Sequence, residues 1–336
     1  MVMGTSPIQI GDVEMKGLFF SLIILILTMI FISFILLQKS LVSFYSKQTF
    51  VEARVDWMLN FYDLILKDSE KAFKIIGRRA LSAAINKVIA TGTPLNSSNS
   101  TGYELIFNGT LNGEPQPLLQ GSTLTDWKNK LKSIAAKQAL ELNISFNRIL
   151  IYPYDSFNVK IEYEINVYLH DLKINASLNK SKPKEVLINI ENLEDPLYPL
   201  KTYGRIVNTF RLSPHWLNYS ANDTTNLLDD LKNSYYHPSL KGGSIFDRLE
   251  GKCEVQPKYQ ISKNYIGLES FVNKDEILSS GLDINVEASN VDYIYFCNPA
   301  VQAFKVQGMP SNFRLDNETT VYELTHLQIY NVSVVE

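Results

Sequence analysis

The residues able to do chemistry are few and scattered. Cys253 and Cys297 are the only cysteines, and their spacing excludes a C-x-x-C redox or zinc motif. In a compartment outside the cytoplasm, two such cysteines favour a disulfide over two free thiols. N-x-S/T triplets begin at Asn96, Asn99, Asn108, Asn143, Asn175, Asn179, Asn218, Asn222, Asn317 and Asn331. Composition alone would give about four, so the excess reads as acceptors for N-linked sugar. The four histidines, His170, His215, His237 and His326, stand in no H-E-x-x-H or Cys/His zinc pattern and read as turn, surface or packing residues. Glu162 and Glu164 share one strand face about 7 Å apart, without the opposed placement that acid–base work around a substrate needs. Asp316-Asn317-Glu318 is a fragment of a calcium loop without its other ligands or its Gly. Lys241-Gly242-Gly243-Ser244 lacks the strand–loop–helix setting of a phosphate loop and reads as a turn. No nucleophile elbow, Walker loop or dinucleotide fingerprint occurs. No catalytic residue, metal ligand or cofactor is assigned, and the chain is not read as an enzyme. A net charge of −3 gives no electrostatic case for nucleic acid.

The elements that carry these residues begin with an apolar run. Gly17–Leu37 holds no charge and no Pro, and as a helix it would span roughly 30 Å, the thickness of a bilayer's hydrocarbon core. No A-x-A-like cleavage site follows it, so it reads as a transmembrane helix rather than a removed secretory signal. Residues 1–16 form a short cytoplasmic leader on this reading. The Lys/Arg distribution mildly favours the opposite orientation, with Lys39, Lys47 and Arg54 after the helix. Every sequon and both cysteines lie beyond the helix, which places the rest of the chain outside.

Residues 38–90 continue as an amphipathic helical stalk. Val51, Val55, Met58, Tyr62 and Ile65, then Phe73, Ile76, Ala80, Ala84 and Val88, recur at helical spacing. A break is expected near Lys67–Ser69, and Gly77 is a second candidate for a kink. The stripe is expected to pack on the head's own core, because a coiled-coil seam would include Ser69 and Arg79. Thr91–Thr101 reads as a linker. Residues 102–192 read as an α+β head. Thr123 and Asp126 cap a helix whose face runs through Trp127, Leu131 and Ile134 to Gln138–Leu142. Val159, Ile161, Tyr163, Ile165, Val167 and Leu169 alternate with polar residues as a half-buried strand. Parity flips at His170-Asp171, which predicts a tight hairpin into a strand led by Leu172, Ile174, Ala176 and Leu178. A third strand is expected at Glu185–Glu191. Residues 193–336 read as a β-rich region, either a continuation of the head's domain or a second domain, with a short helix near Thr225–Ser234 and strands at Val291–Phe296 and Leu327–Val335. The fold class is α+β, a helix laid on an antiparallel sheet.

Lys16-Gly17 followed by Leu18-Phe19-Phe20-Ser21 resembles the class III signal peptide of archaeal type IV pilin-like proteins. That resemblance implies cutting by a prepilin peptidase between Gly17 and Leu18, and a subunit able to join other pilin-like subunits. The chain departs from the pattern at Leu22, where many pilins carry Glu, and at Leu18, where Gln is common. Glu194–Tyr198, Ser244–Gly251, Ile266–Asn273 and Val291–Phe296 resemble segments of archaeal, particularly methanogen, membrane-anchored surface proteins. The expected function is that of a pilin-like or adhesin-type structural subunit on the cell surface. Its expected partners are the lipid bilayer through 17–37, other pilin-like subunits and the peptidase. The alternative is an anchored extracellular binding module or hydrolase with a site in the loops of 193–336.

Overall fold

The computed structural model describes residues 11–335, with side chains from Phe20 onward. Lys16, Gly17 and Leu18 therefore lie outside the residues whose side chains are described. Backbone contacts divide the chain into two units, Met1–Phe61 with Lys173–Ala176, and Tyr62–Leu172 with Ser177–Glu336.

Both units draw on one helix, α1, Gly11–Thr91. In the first unit every residue from Phe20 to Phe50 is exposed, and this is the one described helix long and apolar enough to cross a membrane. Beyond the apolar run, Trp57 stacks on Phe61 at 5.3 Å and carries the Arg54 guanidinium over its ring at 5.4 Å. The expected break at Lys67–Ser69 is absent. Ser69 is fully buried, and its hydroxyl is within 2.7 Å of Leu66 O and 3.0 Å of Tyr163 Oη, so a polar residue sits inside an intact helix at no cost in unsatisfied groups. Gly77 does not interrupt the helix either. A Cβ there would lie 2.3 Å from Ile188 Cδ1, so the glycine permits close approach of helix and sheet.

The second unit is built on that sheet. Ser98–Asn108 (α2) follows α1, so the helix starts inside the expected linker, where Ser97 caps it. The hairpin Thr110–Leu111 (β1) and Glu114–Pro115 (β2) leads to Leu124–Lys137 (α3). Thr123 and Asp126 close the expected capping box, with Asp126 N 3.0 Å from Thr123 Oγ1 and Thr123 N 3.0 Å from Asp126 Oδ2. The helix ends earlier than its pattern predicted. Ala139 turns the chain at φ +57, and Leu140 opens a strand, while Ile134 is half exposed instead of facing the core.

Three long strands, Leu140–Asp155 (β3), Asn158–Asp171 (β4) and Ala176–Asn189 (β5), pair in the order β3-β4-β5. The six alternating residues of β4 from Val159 to Leu169 are all at most 2% exposed. Each such side chain contributes roughly 1.5–3 kcal/mol over leaving it in water. Phe73 of α1 stacks on Tyr163 at 4.0 Å and meets Phe146 edge-on at 5.1 Å. Arg78 ties the helix to the sheet end through Asn189 O at 2.5 Å and Glu191 O at 2.8 Å.

The hairpin comes later than parity suggested. His170 and Asp171 still belong to β4, and the turn is Leu172–Asn175, with Leu172 exposed. The separate strand expected at Glu185–Glu191 is the second half of β5. Pro183 is tolerated there because β5 is an edge strand, and Lys180, Lys182 and Lys184 blunt that edge against further pairing.

Residues 193–335 are not the β-rich region that was expected. They run through short elements of both kinds, Leu197–Lys201 (α4), Thr225–Asn233 (α5), Tyr236–Ser239 (β6), Ile245–Leu249 (α6), Gly267–Ser270 (β7), Lys274–Ser279 (α7), Asp292–Cys297 (α8), Ala303–Val306 (β8), Arg314–Asp316 (β9), His326–Ile329 (α9) and Val334–Val335 (β10). The expected helix near Thr225 is α5. Val291–Phe296, read as a strand, is mostly helix α8, and Leu327–Val335 holds a helical turn and a two-residue strand. These elements are too short to bury a regular apolar face. Their backbone groups are satisfied across loops instead, as where Val272 N donates to Asn290 O at 2.7 Å.

Candidate functional site: a buried polar core

Two short strands hold the chemistry-bearing groups of the C-terminal half. β6 and β7 pair antiparallel, with Tyr236 opposite Ser270 and His237 opposite Glu269. Because successive strand residues point to opposite faces, Tyr236 and Ser270 turn one way and His237 and Glu269 the other. Each face meets its own polar cluster.

On the first face stands Arg248, a fully buried guanidinium. A capping box between Ser244 and Asp247 starts α6 and so sets where Arg248 points. Its Nη1 lies 2.5 Å from Asp195 Oδ2 and 2.9 Å from Asp292 Oδ2, its Nε donates to Gly243 O at 2.9 Å, and its Nη2 donates to Leu268 O. Tyr236 donates to Asp195 at 2.7 Å and Ser270 to Asp292 at 2.9 Å. Burial raises the Asp292 pKa, and the Arg248 charge beside it offsets only part of that rise. The turn through Gly242 and Gly243 presses on β7, since a Cβ on Gly242 would lie 2.2 Å from Leu268 O. Lys241 leaves this turn to pair with Glu318.

On the second face runs a chain of histidines and carboxylates. His237 Nε2 is 3.2 Å from Asp230 and 3.0 Å from Tyr219 Oη, and its Nδ1 is 3.1 Å from Tyr330 Oη. Tyr330 donates to Glu269 at 2.8 Å. Glu269 lies 3.2 Å from His326 Nε2, whose Nδ1 is 2.6 Å from Asp316. Burial opposes a charge on His326, but the Glu269 and Asp316 carboxylates outweigh it and raise its pKa to about 10. Both ring nitrogens then donate. Burial works against the charge on Glu269 and Asp316 too, and His326 overcomes it, so both pKa values are lowered.

The charged groups of both clusters are withdrawn from solvent. Asp195, Asp230, His237, Arg248, Glu269, Asp292, Asp316 and His326 are all at most 1% exposed. Ser213 donates to Asp230 at 2.6 Å, so this hydroxyl is aimed at a carboxylate and not at the imidazole of His237. Among the described residues, no group of three or more His, Cys, Asp or Glu is placed to hold a metal ion. The open cavities of 540 Å³ beside Asn108 and Gln116, and of 630 Å³ beside Arg148 and Pro183, are lined by none of these groups. Each charge of the two clusters is buried, paired and hydrogen-bonded, as a charge in a low-dielectric interior requires.

Cys253 and Cys297 are disulfide-bonded, with Cα atoms 6.3 Å apart. Each sits a few residues past a member of the first cluster, Arg248 and Asp292, so the crosslink staples the two segments that supply that ion pair. All ten sequon asparagines are exposed, whereas eight of the other eighteen asparagines are not. His215, half-buried, pairs with Asp229 at 2.9 Å, and His170 on β4 is 2.9 Å from Ser177 Oγ. Glu162 stands on the sheet's polar face, where it accepts from Tyr152 at 2.6 Å. Asp316, read as part of a loop fragment, is wholly buried instead.

Sequence reading missed the histidine–carboxylate chain and the Arg248 cluster. The signal was present in SIFDRLEG, IGLESFVN and VDYIYF, each of which sets a charge directly among large apolar residues without the alternation of a wet strand. Such a charge is buried with its neighbours and must find a partner from elsewhere in the chain. No protein-family model, curated protein or solved structure matches this chain.

Proposed function

We propose that the chain is a membrane-anchored surface protein whose α+β head lies outside the cell and serves as a pilin-like or adhesin-type structural subunit. The observation that carries this reading is the exposure of every side chain from Phe20 to Leu37 in an unbroken helix, with Leu27 60%, Phe31 65% and Leu36 61% exposed. Soluble proteins rarely leave apolar patches larger than a few hundred Å² in water, and a bilayer is the solvent that suits this one. The disulfide and the surface position of all ten sequons support an external head. The burial and mutual pairing of the charged groups in 193–336 support a scaffold, with an anchored binding module or hydrolase using surface loops as the alternative. Protease added to sealed cells tests the topology. Removal of the head is expected, and a head left whole beside an intact cytoplasmic control overturns the reading. N-terminal sequencing then separates a processed subunit, beginning at Leu18, from a plain anchor that keeps Lys16-Gly17. A Gly17→Val change is expected to block cleavage while leaving insertion intact, because Val is at least as apolar.

A further inference from the structure

The outer face of the three-stranded sheet carries two sequons inside regular strands. Asn143 on β3 lies between the buried side chains of Leu142 and Ile144 and is itself exposed. Asn179 on β5 is likewise exposed. In a strand, residues i and i+2 share a face, so Ser145 and Ser181, which complete the two triplets, stand beside their asparagines and are exposed too.

Both asparagines flank the same aromatic ring. Asn143 is the direct cross-strand partner of Tyr168 on β4. On the other side, β4 ends at Asp171 and β5 begins at Ala176, and His170 meets Ser177 at 2.9 Å just beyond the turn. Counting two residues along an antiparallel ladder brings Tyr168 opposite Asn179. Tyr168 is 37% exposed, on a polar face that it shares with Ser145, Asn166, His170 and Ser177. Directly opposed strand residues have Cβ atoms about 4.5–5.5 Å apart, so a sugar ring attached to either asparagine starts within reach of the phenol face.

We propose that Asn143 and Asn179 carry N-linked oligosaccharides whose first sugars pack on Tyr168, covering the sheet's outer face between its two edge strands. The inference rests on the external placement of the head. The donor is of the class of lipid-pyrophosphate-linked oligosaccharides. The asparagine Nδ2–C1 bond forms, the C1–O bond to the pyrophosphate breaks, and the proton lost from the amide leaves with the pyrophosphate lipid. The apolar C–H face of the sugar then replaces water on the ring.

The test uses the full chain purified from its native membrane. Peptide mass spectrometry is expected to find oligosaccharide on both Asn143 and Asn179. Tyr168→Ser is expected to lower the Tm of the glycosylated protein more than it lowers that of the Asn143→Gln/Asn179→Gln variant, which has no sugar on this face. Bare Asn143 and Asn179 on a protein whose other sequons are modified would overturn the inference while leaving the external head standing. Equal Tm losses from Tyr168→Ser in the two backgrounds would overturn the packing role. A head protected from external protease would remove the premise itself, and that result is read independently of the sugars.

Discussion

Gly77→Ala is the sharpest probe of how α1 meets the sheet. On helix propensity alone the change should stabilise the chain by about 1 kcal/mol, because glycine loses more backbone freedom on folding than alanine. The packing argues the reverse. The new Cβ would stand 2.3 Å from Ile188 Cδ1 and 3.2 Å from Ile161 Cδ1, so Ile188 must retreat by more than about 1 Å to restore van der Waals contact in a dense core. Overpacking of this kind costs about 1–3 kcal/mol, leaving a net loss of up to about 2 kcal/mol. Ile188→Val removes the offending carbon and by itself should cost about 0.5–1.5 kcal/mol. In the Gly77→Ala background the same truncation relieves the clash, so the double variant should be at least as stable as Gly77→Ala alone. That corresponds to a coupling of about 1 kcal/mol or more. Urea unfolding of the full chain in detergent micelles provides the assay. Tryptophan fluorescence gives the signal, because Trp127 donates to Asp68 of α1 at 2.7 Å and reports on this layer. A Gly77→Ala protein that is stabilised by about 1 kcal/mol, or two changes that simply add, would refute the close-approach account.

Arg248→Met should destabilise the head by about 3–5 kcal/mol, because it strands Asp195 and Asp292 without their partner. Adding Asp195→Asn and Asp292→Asn should recover part of the loss in the same unfolding assay, and no recovery would mean that the charges are not its cause. His326 has its pKa raised to about 10, above the roughly 6.5 of an unfolded imidazole. Its contribution is therefore full below about pH 6.5 and is lost at about 1.4 kcal/mol per pH unit as pH rises through 10. Glu269 and Asp316 have lowered pKa values, so their contribution is present above about pH 4 and is lost as pH falls below that. The alkaline slope should vanish in His326→Gln, and an unchanged slope would assign it to other groups. Reduction of Cys253–Cys297, which closes a separation of 44 residues, should cost about 4 kcal/mol in the chain-entropy model. A denaturation midpoint unmoved by reductant would contradict that.

Local rules explain what could be read without coordinates. The apolar run at 17–37, the helical stripe into the head, the capping box at Thr123/Asp126 and the alternation of β4 each report a period or a cap that neighbouring residues impose on one another. The errors fall where a boundary depends on a distant partner. Helix α3 ends and β3 begins at Leu140 because that residue pairs with Asp171 across the sheet, and the hairpin turn sits at Leu172–Asn175 because β4 keeps a partner as far as Asp171. Val291–Phe296 has the β-branched and aromatic content of a strand, yet most of it forms helix α8, where Asp292 meets Arg248 and Cys297 meets Cys253.

Sequence by itself therefore determined the long apolar helix and the sheet's inward face, since each follows from the polarity of residues a few positions apart. Tertiary structure alone decided the fate of the ionisable groups. Asp195, Arg248 and Asp292 come from three separate segments, as do Glu269, Asp316 and His326, and nothing local to any of them names its partners. A buried charge must be compensated within a few ångströms, and only the folded chain sets which residues come that close.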